Sequence, residues 1–133
     1  MLEELQTLIN FQPTTNDQQS VAKLLDYVES KLRLKGMVTE RFMHEGIHSL
    51  YASTRGQKHS KVMLQGHIDV VPGGEDFSQH GDTIYGRGCY DMLFGTASFI
   101  TLVENVDDYT VLDIETTSLD SYYGEILEIK SKK

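Results

Sequence analysis

The apolar positions change period several times along the chain, and each change marks an element. Leu2, Leu5, Leu8 and Ile9 recur at helical spacing and predict a short amphipathic helix over residues 2–10, stopped by Phe11-Gln12-Pro13. Val21, Leu24, Leu25, Val28 and Leu32 line one face of a second helix, residues 16–35, whose other face carries Lys23, Asp26, Glu29 and Lys31. Thr15-Asn16-Asp17-Gln18 reads as its capping box, with Thr15 at the cap and Gln18 reaching back, and Gly36 as its stop. From Met37 the period shortens. Residues 37–43 and 49–54 mix and alternate apolar with polar positions around a turn at Glu45-Gly46, which predicts a hairpin exposed on one face. After a turn at residues 55–58, residues 61–66 form a strand apolar on both faces, expected near the centre of a sheet.

The second half continues the alternation of elements. Residues 71–76 form a loop, residues 82–85 a short extended piece, and Gly86-Arg87-Gly88 a glycine turn. Residues 92–103 are apolar nearly all round, the pattern of a buried helix packed on a sheet. Asp107-Asp108 breaks it. Residues 109–116 read as another strand, and residues 125–129 as a final edge strand ahead of the basic Ser131-Lys132-Lys133. The expected fold is a single α/β domain. Its sheet is mixed and largely parallel, with the strand ending at His67 near its centre, flanked by helices 16–35 and 92–104.

Composition narrows the function classes. At 133 residues the chain is one domain by length, with 39% hydrophobic residues and two prolines. Twelve Lys and Arg against twenty Asp and Glu give a formal charge of −8, which argues against duplex nucleic acid as a partner. The same balance does not exclude a metal enzyme, because bound cations would offset carboxylates. A single cysteine, Cys89, allows no internal disulfide and fits a reducing compartment; it reads as a small buried side chain. No apolar run is long enough to span a membrane, and the N-terminus lacks the basic-then-apolar pattern of a signal peptide. The expectation is a soluble cytoplasmic protein.

The candidate chemistry sits in the middle. Val62-Met63-Leu64-Gln65-Gly66-His67-Ile68-Asp69-Val70-Val71-Pro72 is an apolar run that ends in a histidine and an aspartate two apart. Open α/β sheets carry their sites at such strand ends. His67 and Asp69 share one side of an extended backbone, so Asp69 can accept the second ring N–H of His67 and fix its tautomer. Asp91 follows the glycine turn at the start of the apolar helix, where an anion is favoured. One histidine and two carboxylates are ordinary donors for zinc or a similar divalent ion. The plain structural alternative is a satisfied His–Asp surface pair plus an N-capping Asp91. His44, His48, His59 and His80 fall in loops or strand edges and read as solvated. Gly86-Arg87-Gly88 lacks the third glycine of a dinucleotide fingerprint.

At these residues the sequence resembles the co-catalytic zinc peptidase family that includes aminoacylase, acetylornithine deacetylase, succinyl-diaminopimelate desuccinylase and glutamate carboxypeptidase. Gly66-His67-Ile68-Asp69-Val70-Val71-Pro72 is similar to that family's first metal motif, and Tyr85-Gly86-Arg87-Gly88 through Asp91-Met92 to its second. The likeness covers residues 1 to about 106. It implies that His67 holds one zinc (or cobalt) ion, that Asp91 bridges two, and that Asp69 serves catalysis by orienting His67. The implied reaction is hydrolysis of the amide in an N-acyl amino acid or small peptide. Where the family continues with a lysine and two glycines, this chain has Leu93, Phe94 and Gly95. The family's adjacent Glu-Glu pair, general base and metal ligand, has no counterpart after Asp91; Glu125 and Glu128 are the late candidates and neither has a glutamate beside it.

Residues 107–133 suggest a different origin. Asp113-Ile114-Glu115 within Tyr109–Asp120, followed by Glu125-Ile126-Leu127-Glu128-Ile129, resembles the opening hairpin of proofreading-type exonucleases, whose Asp and Glu two apart bind catalytic metals. Three readings follow. The first is the front part of a metal-dependent amidohydrolase with an incomplete two-metal site and little or no activity. The second is a non-catalytic chimeric or structural module, in which residues 107–133 are a foreign segment capping a sheet edge and the chain self-associates as a homo-oligomer. The third is a divalent-metal exonuclease using Asp113 and Glu115.

Overall fold

The structure, a computed structural model, describes residues 1–54, 62–105 and 111–115. Helix α1 (Leu2–Asn10) and helix α2 (Gln18–Leu34) open the chain, followed by the hairpin of β1 (Val38–His44) and β2 (Ile47–Ser53). Strand β3 (Met63–Gly66) leads to the candidate site. A small hairpin of β4 (Ser78–His80) and β5 (Thr83–Tyr85), helix α3 (Leu93–Asn105) and strand β6 (Val111–Glu115) complete it. The β4 strand had no clear signal in the sequence. The predicted turn at residues 55–58, His59 and the predicted strand at residues 125–129 lie outside the described residues. Among the described residues, no helix is long and apolar enough to cross a membrane.

The α/β class and the mixed sheet are as the sequence predicts, but the parallel share is smaller. The strand order is β1-β2-β6-β3. Pairings β1–β2 and β2–β6 are antiparallel, and only β3–β6 is parallel. Strand β3 is therefore an edge among the described strands, not the centre. Val62 and Met63 are more than half exposed there, at 52% and 55%, because no described strand covers that side. The interior place belongs to β6, which registers Leu112 with Ala52 on one side and Leu64 on the other. Residues 111–115, within the segment expected to cap a sheet edge, instead pair on both sides.

Helix α2 shows why the elements hold. Leu24, Leu25, Val28 and Leu32 are fully buried against the sheet and α3. Burying each contributes roughly 1.5–3 kcal/mol relative to exposure. Packing of that face, rather than intrinsic propensity, stabilises the helix. The cap differs from expectation. Asp17 is the N-cap, accepting from the Gln19 and Ser20 amides at 3.1 and 3.2 Å. Thr15 is left free for another task. The hairpin turn is as predicted: Glu45 and Gly46 both take positive φ, 51° and 84°, as a two-residue turn between twisted strands demands.

Two expected exposures are corrected. Glu29, placed on the solvated face of α2, is buried. Its carboxylate accepts from the Thr39 hydroxyl at 2.8 Å and pairs with Arg33 Nη2 at 2.5 Å and with Arg41 Nε. Arg41 also reaches Asp26 Oδ1 at 2.7 Å. The helical pattern could not show that β1 brings an arginine and a threonine over this acid. In α3 the apolar pattern runs all round, yet of its described apolar residues only Leu93, Ala97, Ile100 and Val103 are buried, while Phe94 and Leu102 remain exposed.

The Glu29 network carries a prediction. Burial alone raises the Glu29 carboxyl, but the Thr39 hydroxyl and the Arg41 and Arg33 guanidiniums outweigh it, so its pKa lies below the usual 4.5. A depressed folded pKa contributes stability above 4.5 that is lost as pH falls through the folded value. Glu29→Gln should destabilise by about 1–3 kcal/mol at pH 7 in urea titrations. The gap from wild type should narrow as the pH falls below 4.5.

Candidate metal-facing site

The site is built where two chain segments meet beyond the end of β3. The first is residues 67–70. Ile68 and Val70 are buried and alternate with His67 and Asp69, so the core grips every second residue and fixes the direction of the other two. The α1–α2 connection clamps this segment from the side. Val70 N–H donates to Pro13 O at 2.8 Å, and Thr15 N–H donates to Val70 O at 3.0 Å, forming a short parallel bridge.

The second segment is the glycine turn. Cys89 N–H donates to Gly86 O at 3.1 Å, Leu93 N–H to Gly88 O at 2.9 Å, and Arg87 N–H to Glu75 O at 2.9 Å. Gly88 has φ 74°, and a Cβ there would collide with Val70 Cγ1. Only glycine allows both the left-handed turn and the close approach. That approach sets Asp91 beside His67. Asp91 lies two residues ahead of α3, and the Asp91–Met92 peptide is cis.

The three residues expected from the sequence come together. His67 Nδ1 lies 3.0 Å from the Asp69 carbonyl oxygen and 3.3 Å from Asp69 Oδ1; the better-placed acceptor is the carbonyl, not the carboxylate the sequence reading expected. On the other side of the ring, Nε2 lies 3.1 Å from Asp91 Oδ1. Asp69 is 6% exposed, whereas the Asp91 side chain is 80% exposed at the rim. Together with Thr15, Val70, Val71, Gly86, Gly88, Cys89 and Tyr90 they line a cleft of about 450 Å³.

Two lining residues escaped the sequence reading. Thr15 was expected to cap α2, but its hydroxyl donates to Asp69 Oδ2 at 2.8 Å. No local signal marks a threonine for a partner 54 positions away. Cys89 is half-buried rather than buried, and it shares the cleft with His67. His44 and His80 are exposed as expected, and His80 meets Tyr85 edge-on. Asp113 and Glu115 both lie on β6. Ile114 is in register with Gly66, so the ends of β6 and β3 run to the same edge of the sheet.

The donor set was tested against a divalent cation. With its proton on Nδ1, a neutral His67 presents a lone pair at Nε2. Facing a carboxylate oxygen at 3.1 Å, that lone pair needs a proton or a cation between them. Imidazole nitrogen and carboxylate oxygen are the right donor types for zinc or a similar ion. In number they fall short of the three protein ligands of a catalytic zinc site, and among the described residues no third His, Cys, Asp or Glu joins them closely enough. The residues therefore fit one part of a coordination shell.

No family model matches the sequence. The succinyl-diaminopimelate desuccinylase of Sulfurovum sp. (strain NBC37-1) is 28% identical over 144 positions, covering 100% of this chain and 38% of the relative. That of Wolinella succinogenes is 32% identical over 117 positions, covering 82% and 30%. That of Caulobacter vibrioides is 32% identical over 97 positions, covering 66% and 25%. The chain thus spans about a quarter to two-fifths of the length of these curated relatives. Among solved structures, human carnosine dipeptidase 1 superposes with a TM-score of 0.71 at 16% identity, over 86% of this chain and 31% of that one. An M20 family metallo-carboxypeptidase from Sulfolobus solfataricus gives 0.58 at 20% identity, over 86% and 31%. The chain is similar to the N-terminal part of the M20 metallopeptidase family. A glutaminyl cyclase from Bacteroides thetaiotaomicron also superposes, at 0.65 with 15% identity over 98% of this chain and 49% of that one. The M20-type fold is therefore shared beyond peptidases, and fold alone does not choose the reaction.

The electrostatics of the His67 ring make a prediction for the metal-free protein. The Asp69 carboxylate, aided by its carbonyl and by Asp91, outweighs the effect of burial and pushes His67 up from 6.5 to about 9. A raised folded pKa gives stability fully present below 6.5 and lost as pH rises through about 9. Ring-carbon NMR should follow His67 titrating near 9, and Asp69→Asn should move that midpoint down. The thermal-stability advantage of wild type over His67→Gln should shrink across the same window.

Proposed function

We propose that this chain carries the metal-facing front part of an amidohydrolase acting on N-acyl amino acids or small peptides. His67 and Asp91 are its metal ligands, and Asp69 holds the His67 ring. The observation that carries the reading is the 3.1 Å convergence of His67 Nε2 and Asp91 Oδ1 at the mouth of a cleft, with Asp69 fixed behind the ring. The desuccinylase relatives support the choice of an amide in a small acylated amino acid. Zinc or cobalt is the fitting ion, since both donors are imidazole or carboxylate.

The residues divide the work by their exposure. Buried Asp69 accepts from Nδ1–H and so leaves Nε2 as the coordinating atom. Asp91 stands at the rim with a second oxygen available to a neighbouring ion. The glycine turn keeps its own backbone bonds and leaves the cleft open above His67. An ion bound there supplies polarisation of an amide carbonyl and activation of water. Neither Glu125 nor Glu128 is among the described residues, and the reading assigns no general base. Activity of this chain by itself is accordingly expected to be weak or absent.

Calorimetric titration with zinc tests this reading. Saturable binding that vanishes in His67→Ala and weakens in Asp91→Asn is expected; binding that survives His67→Ala would sink the ligand assignment. Any hydrolysis of an N-acyl amino acid with added zinc or cobalt should be lost in the same variant.

One observation favours a second reading, a structural module that self-associates. Met63, exposed at the edge that β3 forms among the described strands, offers a strand for pairing with another copy. On this reading sedimentation velocity should show a concentration-dependent dimer that Met63→Lys disperses. A monomer at all concentrations would remove it. The exonuclease reading rests on Asp113 and Glu115 two apart on β6. It has no support from the relatives named above, which are desuccinylases.

A further inference from the structure

Thr15 is the one cleft-lining residue drawn from the chain ahead of His67. Its backbone is fixed by the bridge to Val70, and its hydroxyl lies 2.8 Å from Asp69 Oδ2 and 3.3 Å from Val70 O. The Val70 carbonyl already accepts the Thr15 amide at 3.0 Å. The carboxylate is both nearer and charged, so the hydroxyl proton goes to Asp69. Asp69 depends on that bond. It is buried, and its other oxygen, Oδ1, has no hydrogen-bond donor in good geometry. Oδ1 rests 3.3 Å from His67 Nδ1, and the Asp69 carbonyl takes the ring proton. Any rotation of the Asp69 side chain alters what the ring faces.

We propose that Thr15 is a positioning residue: its hydroxyl anchors the Asp69 carboxylate, and Asp69 in turn holds the His67 ring with Nε2 aimed into the cleft. The consequence for metal binding rests on the reading of His67 as a ligand; the consequence for the ring does not. The anchored carboxylate stands 3.3 Å from the ring nitrogen whose proton the Asp69 carbonyl takes, so the hydroxyl orders the ring through Asp69 as a whole, without touching the ion. Loss of such outer support typically costs about 10–100-fold in metal affinity. The link also makes the α1–α2 connection part of the site, although it lies more than fifty residues away in sequence.

The test uses the full chain with Thr15→Val, which removes the donor and keeps the branched shape, and Thr15→Ser, which keeps the donor. Thr15→Ala replaces Thr15→Val if that variant does not fold. Two quantities are read. One is the solvent exchange rate of the His67 Nδ1–H in metal-free protein at a single pH, by nitrogen-15 NMR. The other is cobalt affinity, by calorimetry and visible absorption. Thr15→Val should speed the exchange several-fold and weaken cobalt about 10–100-fold. Thr15→Ser should restore both, with all variants unfolding at similar temperature. Unchanged exchange in Thr15→Val overturns the inference, whatever the metal does. So does failure of Thr15→Ser to restore it, since the hydroxyl is then not the cause. If exchange responds as expected but cobalt binds wild type and His67→Ala alike, or neither, the positioning role stands and the metal assignment falls.

Discussion

Two backbone hydrogen bonds carry the site. Val70 N–H to Pro13 O and Thr15 N–H to Val70 O join the α1–α2 connection to the segment that bears His67 and Asp69. Residues 67–70 continue beyond β3 outside the sheet ladder, so without this clamp their backbone groups would have no structured partner on that side. The clamp also sets the depth of Val70, and Val70 is the surface on which Gly88 closes. Through that contact it sets the place of the glycine turn and hence of Asp91. A bond between an N-terminal loop and a strand extension thereby fixes the distance between two donors from a third part of the chain.

The arrangement is electrostatically one-sided. His67 lies between Asp69 and Asp91, and the chain as a whole carries −8. Two carboxylates around one imidazole favour a positive charge at that point, whether a proton or a metal ion supplies it. This is an opposite use of acid from that at Glu29, where two arginines and a threonine surround a buried carboxylate and leave it satisfied. The Glu29 cluster joins helix to strand and is complete. The His67 cluster leaves Asp69 Oδ1 without a donor and Asp91 at the rim. Buried polar atoms without a partner also occur away from the cleft, at Ser53 Oγ and Thr96 Oγ1; at Asp69 the unpartnered oxygen lies beside a histidine in the cleft wall.

His67, Asp69 and Asp91 were legible because their meaning is local: a period of two puts His67 and Asp69 on one side, and a glycine turn has few geometries. Helices α1 and α2 were legible for the same reason. The misread positions all take their roles from distant partners. Thr15 carries every mark of a cap, yet Asp17 accepts the Gln19 and Ser20 amides while the Thr15 hydroxyl turns to Asp69. Glu29 sits at a polar position of its helix, and only β1 makes it interior. Strand β3 reads as central from its apolar residues, but sheet order depends on which strand pairs with it, and β6 took the inner place. An apolar α3 predicts burial all round, yet the neighbours that would cover Phe94 and Leu102 are not among the described elements.

The superposition of dipeptidase, carboxypeptidase and glutaminyl cyclase structures on one backbone bears on what this stretch can determine. Those proteins share this fold over most of the present chain while their named activities differ. What a fold of this kind specifies is therefore the location of a cleft at the strand ends, not the bond that is cut. Here the cleft wall comprises a histidine, two aspartates, a threonine and a glycine turn. His67, Asp69 and Asp91 position charge, and Val70, Val71, Cys89 and Tyr90 complete the wall. Substrate selection needs further surface facing this wall, whereas the geometry of the His67–Asp91 pair is already set within residues 13–93. What is set within this chain is thus a place between His67 and Asp91 that favours positive charge.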